Sequence, residues 1–321
     1  MIKILANDGI HPDGKMLLEE AGYTVDTTKV AQEDLKDVLP EYDVIIVRSA
    51  TKVRKDLIDA CPKLKIIARG GVGLDNVDHQ YAREKGIEVI NTPAASSQAV
   101  AELSFGHMFS LARHLQNANW EMRNMDAAKF NKLKKDYSNG FQLRGKTLGV
   151  IGFGRIGVET ARIGLGLGMN VLPYDIIPDL KIAIDVNIYQ SETAKLTIKL
   201  KTVEMDELLA KSDFISIHVP FSDGPVIGKT EMQKLKDGVI LVNTSRGGMI
   251  DEEALLEGLE SGKIGGAALD VFNNEPTPRE AILHHPKISL SPHIGGSTIE
   301  AQTNIGLELA DKIIAFFGDD K

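Results

Sequence analysis

Short apolar runs alternate with amphipathic segments in the first part of the chain. The runs predict strands at residues 2–6, 24–26, 44–47, 65–68 and 88–90. The segments between them predict helices at residues 12–21, 31–39, 55–60 and 77–85. Gly22 and Gly86 follow two of these helices, where glycine permits a left-handed cap. Such alternation predicts a small domain with a parallel sheet covered on both faces.

The same alternation returns from about residue 145 onward. Its strands are predicted at residues 146–151, 170–175, 214–219, 239–243, 267–271 and 288–291. The clearest helices are predicted at residues 206–211 and 251–261. A capping box at residues 297–300 opens a last helix that runs to about Phe317. That helix has no sheet nearby in sequence, so we expect it to return to the first domain.

Three further segments stand outside the alternation. Residues 96–125 contain no proline and carry apolar side chains at helical spacing, which predicts one long helix between domains or in a subunit interface. Residues 127–139 are polar and lysine-rich, which predicts an exposed connection. Residues 180–203 alternate in polarity about Ser191 and Glu192, which predicts an exposed β-hairpin of no assigned function.

The glycine pattern G-x-G-x-x-G follows a predicted strand and precedes a helix. Gly152 allows a tight turn, Gly154 lets backbone amides approach a pyrophosphate, and Gly157 permits close packing of helix on strand. Three such glycines are a weak signal in a chain with 30 glycines. The next strand ends in Asp175, where a carboxylate accepts hydrogen bonds from an adenosine ribose. Together these features predict a dinucleotide site.

Composition narrows the class of protein. With 321 residues, 43% of them hydrophobic, the chain has room for about two globular domains. Its 37 Lys and Arg against 45 Asp and Glu give a net charge of −8, which argues against nucleic-acid or membrane-surface partners. Cys61 is the one cysteine, so no intrachain disulfide forms, and no apolar run has transmembrane length. We therefore expect a cytoplasmic protein.

Clusters of polar residues and glycines follow three predicted strands, where open α/β sheets bind ligands. They are residues 243–248, 269–276 and 290–297. Arg246 in the first cluster suits two charge-assisted hydrogen bonds to a carboxylate, and its flanking glycines favour this function over an ordinary surface arginine. His293 in the third cluster suits proton transfer near neutral pH, although a helix-cap role is equally compatible with its position.

Glu275 in the second cluster would orient the His293 ring if the two were in contact, which sequence alone does not show. The remaining histidines have no spacing typical of metal ligands, and the chain contains no Cys/His cluster. We therefore expect no metal site.

These motifs together resemble the D-isomer-specific 2-hydroxyacid dehydrogenases. The motifs are Gly152–Gly157 with Asp175, residues 243–251 (NTSRGGMID), 267–276 (AALDVFNNEP) and 291–298 (SPHIGGST). Their order and spacing match the family over nearly the whole chain. Residues 48–51 (RSAT) and 69–78 (RGGVGLDNVD) are similar to the D-3-phosphoglycerate dehydrogenase branch.

The resemblance implies an α/β fold with two doubly wound parallel-sheet domains. A Rossmann NAD-binding domain of residues 94–291 would be inserted into a flavodoxin-like substrate-binding domain of residues 1–93 and 292–321. The helical segment at 96–125 would form a homodimer. Hinges near residues 91–93 and Ser291 would let the domains close on the substrate and expel water.

The resemblance also implies NAD as cofactor. Its pyrophosphate would lie over the amides near Arg155 and Ile156, its ribose on Asp175 and its nicotinamide near Asp270. Two isoleucines follow Asp175, with no basic side chain for a 2′-phosphate, which favours NAD over NADP. The implied contacts are Gly152, Gly154, Arg155, Ile156, Gly157, Asp175, Val219, Thr244, Ser245, Asp270, His293, Gly295 and Gly296.

Arg246, Glu275 and His293 fall on the family's catalytic positions. Arg246 would hold the substrate's carboxylate and carbonyl oxygen. His293 would take the hydroxyl proton during hydride transfer, and Glu275 would stabilise the imidazolium. The implied reaction is NAD-dependent oxidation of D-3-phosphoglycerate to 3-phosphohydroxypyruvate, the first step of serine biosynthesis.

Arg48 and Arg69 are candidates for the substrate phosphate, and the amides after Arg69 would hold its carboxylate. Lys134 or Lys135 of a partner subunit would be a further phosphate ligand. A salt bridge from Arg48 to a neighbouring helix is the structural alternative. The implied substrate-binding residues are Arg48, Arg69, Gly70, Gly71, Val72, Arg246 and His293.

The chain departs from the branch in two ways: Val72 and Val219 stand where threonines are frequent near the cofactor, and the segment at 180–203 is longer than usual. A glyoxylate or hydroxypyruvate reductase is the alternative enzyme, since it needs no phosphate site. An NAD-sensing corepressor is the alternative of another class, and the negative charge weighs against it.

Because the chain ends at Lys321, we expect no serine feedback through an appended regulatory domain.

Overall fold

The computed structural model describes residues 1–187, 195–220 and 224–318. Its strands are β1 Lys3–Ala6, β2 Thr24–Asp26, β3 Val44–Val47, β4 Ile66–Arg69, β5 Glu88–Asn91, β6 Thr147–Ile151, β7 Asn170–Tyr174, β8 Lys181–Asn187, β9 Lys195–Lys201, β10 Phe214–Ile217, β11 Val239–Asn243, β12 Ile264–Leu269 and β13 Ile288–Leu290. Its helices are α1 Pro12–Glu20, α2 Leu35–Val38, α3 Lys55–Ala60, α4 His79–Glu84, α5 Ser97–Ala112, α6 Leu115–Arg123, α7 Phe130–Asp136, α8 Arg155–Gly166, α9 Met205–Lys211, α10 Lys229–Lys234, α11 Glu252–Ser261, α12 Glu280–Leu283 and α13 Ile299–Gly318.

The chain forms two compact units. The first contains Met1–Ala99 and Gly296–Lys321, and the second contains Val100–Gly295. In the first unit a parallel sheet has the order β2-β1-β3-β4-β5. This order is flavodoxin-like, and it reverses between β1 and β3. Ligands of such sheets bind beyond the carboxyl ends of the strands at that reversal.

The last helix, α13, packs on the first sheet and on α1. Ile305, Leu309 and Ile313 of α13 are buried in one core with strand residues such as Ile4 and Ile46. Gly14 of α1 faces Gly306 of α13 so closely that a Cβ on Gly14 would collide with the Gly306 backbone. Small residues therefore set the distance between these two helices.

The second unit is built on a six-stranded parallel sheet with the order β13-β12-β11-β10-β6-β7. Helices and strands bury apolar side chains on both faces of this sheet. The order reverses between β6 and β10, which is the switch point of a Rossmann fold. The α/β fold with two doubly wound sheets agrees with the sequence prediction.

Two helix predictions and one predicted connection need correction. The segment at 96–125 is not one helix, because His114 between α5 and α6 has a left-handed backbone with a φ of 54°. The segment at 127–139 is not merely a connection, since it contains α7, which buries Leu133. The helix predicted at 31–39 begins only at Leu35.

The predicted hairpin is present as β8 and β9, which pair antiparallel from Lys181 opposite Lys201 to Asn187 opposite Lys195. Ile184 is fully buried against the core of the second unit. The predicted turn at Ser191 and Glu192 lies outside the described residues. At the last helix the side chain of Thr298, rather than Ser297, caps the helix by accepting a hydrogen bond from the Ala301 amide at 3.1 Å. Across the described ranges, no helix is both long and apolar enough to cross a membrane.

Candidate active site

The glycine-rich loop connects β6 to α8 at the switch point of the second sheet. Gly152 has a φ of 90°, and a Cβ there would lie 2.7 Å from the His218 carbonyl oxygen and 2.9 Å from Val219 Cγ1. Gly157 packs against the Gly152 carbonyl so tightly that a Cβ would collide with it. A Cβ on Gly154 would meet nothing within 4 Å. The loop is therefore tightly packed at Gly152 and Gly157 and has open space beside Gly154.

The helix that follows this loop offers free amides. Arg155 and Ile156 occupy the first turn of α8, whose amides have no acceptor within the helix. Asp175, after the neighbouring strand β7, accepts hydrogen bonds from the Phe153 amide at 2.8 Å and the Ile177 amide at 3.1 Å. The loop, the helix start and the carboxylate thus lie together, and their chemistry suits an anion and a ribose.

His218 supports the loop from the side of β10. Its Nε2 lies 3.0 Å from Thr160 Oγ1 on α8 and 2.9 Å from Ser216 Oγ. Its Nδ1 is buried and has no hydrogen-bond partner among the described residues. Burial lowers the pKa of His218 to about 3, so the ring is neutral near pH 7. Sequence reasoning missed His218, because a lone histidine after a strand gives no specific signal.

The loop after β11 carries Arg246 and is shaped by Asn243. The Asn243 side chain donates to the Arg246 carbonyl at 2.8 Å and accepts from the Ser245 amide at 3.0 Å. Gly247 packs against the Phe272 carbonyl, where a Cβ would collide. This contact brings the loop after β11 against the loop after β12.

The loops after β12 and β13 bring Glu275 and His293 together. His293 Nδ1 lies 2.8 Å from Glu275 Oε2, and Glu275 Oε1 accepts a hydrogen bond from the Phe272 amide at 3.0 Å. Both side chains are partly exposed, and no described residue hydrogen-bonds His293 Nε2. The carboxylate therefore orients the ring and leaves Nε2 for a ligand, which is the arrangement of a general acid–base pair.

His293 has a left-handed backbone with a φ of 54°, an uncommon conformation for a residue other than glycine. Its amide donates to the Asp270 carbonyl at 2.8 Å and holds that conformation in place. The Asp270 carboxylate then accepts from the next two amides, those of Ile294 and Gly295, each at 2.8 Å. Asp270 thus fixes the loop that carries His293.

Helix α5 supports this cluster from beneath through two polar side chains that sequence reasoning missed. Ser104 Oγ lies 2.9 Å from Thr244 Oγ1, and both side chains are buried. One turn later, His107 contacts the hydroxyls of Ser289 and Ser291. From sequence alone, an isolated polar residue in an apolar helix is expected to be a core residue with its hydrogen bonds made, and nothing indicates a functional role.

The predicted residues 48 and 69–72 belong to the first unit, as does Gly296, whereas Lys134 and Lys135 lie on α7 in the second unit. Arg48 follows β3 and lines a cavity of about 240 Å³ at the sheet's switch point, with Asp8, His11 and Gln302 among its other walls. The Arg48 guanidinium makes no hydrogen bond or ion pair with any described residue, so the salt-bridge alternative is not observed.

Asp8 also lines this cavity, but other hydrogen-bond donors already contact its carboxylate. It accepts from the Arg48 amide at 2.8 Å and from the Thr51 hydroxyl at 2.7 Å, and it pairs with Lys29. Burial raises the pKa of Asp8, but the hydrogen bonds from Lys29, Arg48 and Thr51 outweigh burial and hold that pKa below its ordinary value. Asp8 therefore fixes the backbone of the loop that carries Arg48.

The predicted cradle of three amides needs correction. The Gly70 amide already donates to the Val47 carbonyl at 2.8 Å, and the Gly71 amide to Thr92 Oγ1 at 2.8 Å. Of the three, only the amide of Val72 has no partner among the described residues. The Arg69 guanidinium lies against Gly71, which has a φ of 134° and no space for a Cβ.

Known proteins resemble this chain over its length. The profile of the D-isomer-specific 2-hydroxyacid dehydrogenase NAD-binding domain matches residues 105–295. A hydroxypyruvate reductase of Thermotoga maritima is 41% identical, with 98% of each chain covered. A D-3-phosphoglycerate dehydrogenase of Methanocaldococcus jannaschii is 39% identical over 98% of this chain, but the match spans only 57% of that protein's length.

Solved structures agree. A D-lactate dehydrogenase of Aquifex aeolicus, determined with NAD and lactic acid, is 28% identical and superimposes with a TM-score of 0.74, covering 99% of this chain and 96% of that one. The strand orders, the glycine-rich loop and the profile match all indicate one family. The chain belongs to the D-isomer-specific 2-hydroxyacid dehydrogenases, which are NAD-dependent oxidoreductases.

Proposed function

We propose that this enzyme oxidises D-3-phosphoglycerate to 3-phosphohydroxypyruvate in the cytoplasm, the first step of serine biosynthesis. The observation that carries the proposal is Arg48, whose guanidinium has no partner among the described residues and lines a cavity at the switch point of the first sheet. A guanidinium binds a phosphate through two parallel charge-assisted hydrogen bonds. The phosphoglycerate dehydrogenases among the relatives support the same substrate.

The second unit fits NAD. Gly154 leaves open space beside the amides at the start of α8, which suit a pyrophosphate, and Asp175 suits the adenosine ribose. The backbone at Thr244 and Ser245, with the Asp270 carboxylate, would hold the nicotinamide. When bound, NAD supplies the hydride acceptor.

The chain's own residues would then handle the proton and the substrate charge. His293 Nε2 would take the hydroxyl proton as C2 loses its hydride, and Glu275 would stabilise the imidazolium through Nδ1. Arg246 would hold the substrate carboxylate. In the reverse direction the His293 imidazolium returns the proton to the carbonyl oxygen.

A hydroxypyruvate reductase is the second candidate. The Thermotoga maritima relative of that name matches this chain over 98% of both lengths, unlike the longer phosphoglycerate dehydrogenases. This reductase would use the same catalytic residues on an unphosphorylated substrate. Membership of a dehydrogenase family favours either enzyme over the NAD-sensing corepressor.

Replacing Arg48 by Met tests the phosphate assignment. We expect kcat/KM for 3-phosphohydroxypyruvate to fall by roughly 10- to 100-fold, since one hydrogen-bonded charge pair is lost. The value for hydroxypyruvate should change by less than about threefold, because that substrate has no phosphate to lose a contact. Arg54→Met is the matched control, because Arg54 already pairs with Asp78 at 3.0 Å in the same unit. Equal losses for both substrates, or none, would remove Arg48 from the phosphate site.

We also propose that the enzyme is a homodimer. Leu115 and Trp120 of α6 are 54% and 71% exposed, and Met122 and Phe130 nearby are also exposed. An apolar patch of this kind marks an interaction surface. Light scattering should give twice the chain mass, and Trp120→Glu should reduce it to that of a monomer. Met16→Glu, a change at an exposed apolar residue of α1, is the control and should leave the mass unchanged. A monomeric wild-type protein, or a Trp120→Glu variant that keeps the wild-type mass, would contradict the dimer.

A further inference from the structure

A chain of buried hydrogen bonds runs from helix α5 to Asp270. The Nδ1 of His107 lies 2.8 Å from Ser289 Oγ, and its Nε2 lies 2.8 Å from Ser291 Oγ. The Ser291 hydroxyl donates in turn to Asp270 Oδ1 at 2.6 Å. All four side chains are buried, with 9% exposure at most. We call these residues the α5 relay.

The direction of each hydrogen bond follows from the proton count. A serine hydroxyl has one proton, and the Asp270 carboxylate accepts the proton of Ser291. His107 Nε2 must therefore donate to Ser291. Burial lowers the pKa of His107, so its ring is neutral and Nδ1 accepts from Ser289. Donation runs one way, from Ser289 through His107 and Ser291 to Asp270, and each bond strengthens the next.

Asp270 is held by this relay and by two backbone amides. Oδ1 accepts from Ser291 and from the Ile294 amide, and Oδ2 accepts from the Gly295 amide at 2.8 Å. Ser291 supplies the one side-chain donor among these described contacts. A carboxylate fixed at both oxygens has a defined orientation toward any further hydrogen-bond donor.

We propose that His107 and Ser291 are positioning residues for the nicotinamide end of NAD, acting through Asp270. This inference rests on the proposed function, which assigns the nicotinamide to Asp270. The hydroxyl of Ser291 keeps Asp270 in one orientation, and His107 fixes the direction in which that hydroxyl donates. The relay touches neither the glycine-rich loop nor Asp175, so it should leave binding of the adenosine half unchanged.

Binding of NADH and of ADP-ribose, which has no nicotinamide, separates this role from a structural one. We expect Ser291→Ala to weaken NADH binding roughly five- to tenfold, through loss of one hydrogen bond to a charged group. His107→Leu should weaken it about threefold, through loss of the polarising bond. ADP-ribose affinity should change by less than about twofold in both variants, because a hydrogen bond lost at Asp270 touches none of its groups.

Two further variants sharpen the test. His107→Gln, which retains a donor and an acceptor, should restore NADH affinity to within about twofold of wild type. Ser289→Ala, the matched control on the other side of the same ring, should change it by less than about twofold, since His107 Nε2 still donates to Ser291 without Ser289. Because His107 acts through Ser291, the double variant should bind NADH no more weakly than Ser291→Ala alone.

Asp270→Ala separates failure of the inference from failure of the proposed function. If that variant loses NADH affinity selectively while Ser291→Ala and His107→Leu do not, the relay is overturned and the Asp270 assignment stands. If Asp270→Ala leaves NADH affinity unchanged, the assignment of the nicotinamide to Asp270 fails as well. If the relay variants weakened binding of NADH and of ADP-ribose equally, His107 and Ser291 would have a structural role only.

Discussion

The contact between His293 and Glu275 determines what the second unit can do chemically. The 2.8 Å distance between Nδ1 and Oε2 orients the ring, and the left-handed backbone of His293 places strain at the same residue. The Asp270 carbonyl and carboxylate hold the loop against that strain.

Replacing Glu275 by Gln tests this pair. We expect kcat to fall roughly 10- to 100-fold, because the amide still orients the ring but no longer stabilises an imidazolium. NADH affinity should change by less than about twofold, since Glu275 is assigned no contact with the cofactor. Glu280→Gln is the control, because Glu280 pairs with His284 at the same 2.8 Å but is 83% exposed. Stopped-flow absorbance of NADH measures kcat; a variant with wild-type kcat would contradict the pairing.

At the residue scale, the sequence identified candidate catalytic side chains but not which of them are in contact. Glu275 and His293 were candidates because each follows a strand, and they meet because β12 and β13 are neighbours in the sheet. The contact between His107 and Ser291 had no comparable signal. Their role depends on the packing of α5 beneath the sheet, which side-chain type and spacing do not encode.

At the scale of elements, hydrophobic periodicity placed the strands to within a few residues. The strand predicted at 267–271, for example, lies at Ile264–Leu269. Periodicity failed at the break between α5 and α6, because His114 adopts a left-handed backbone without the glycine that usually marks one. The family resemblance, in turn, did not reveal that the Gly70 and Gly71 amides are already bonded, because their acceptors lie on β3 and beyond β5.

Over the whole molecule, two sheets with different strand orders each place candidate ligand groups at a switch point. In the first unit these are Arg48 and the cavity beside it. In the second unit this is the glycine-rich loop, with Asp175 after the neighbouring strand β7, while the acid–base pair follows β12 and β13 at the other side of the same sheet. Strand–helix alternation predicted both sheets. The proposed substrate depends instead on a few side chains in the first unit, and family resemblance alone does not determine that substrate.

The central claim is therefore the preference for a phosphorylated substrate. Initial rates of NADH oxidation by the wild-type enzyme with 3-phosphohydroxypyruvate, hydroxypyruvate, glyoxylate and pyruvate measure it directly. We expect kcat/KM for 3-phosphohydroxypyruvate to exceed that for hydroxypyruvate by roughly tenfold or more, the contribution of one charge-assisted phosphate contact. A higher kcat/KM for hydroxypyruvate or glyoxylate would contradict the claim and identify a reductase.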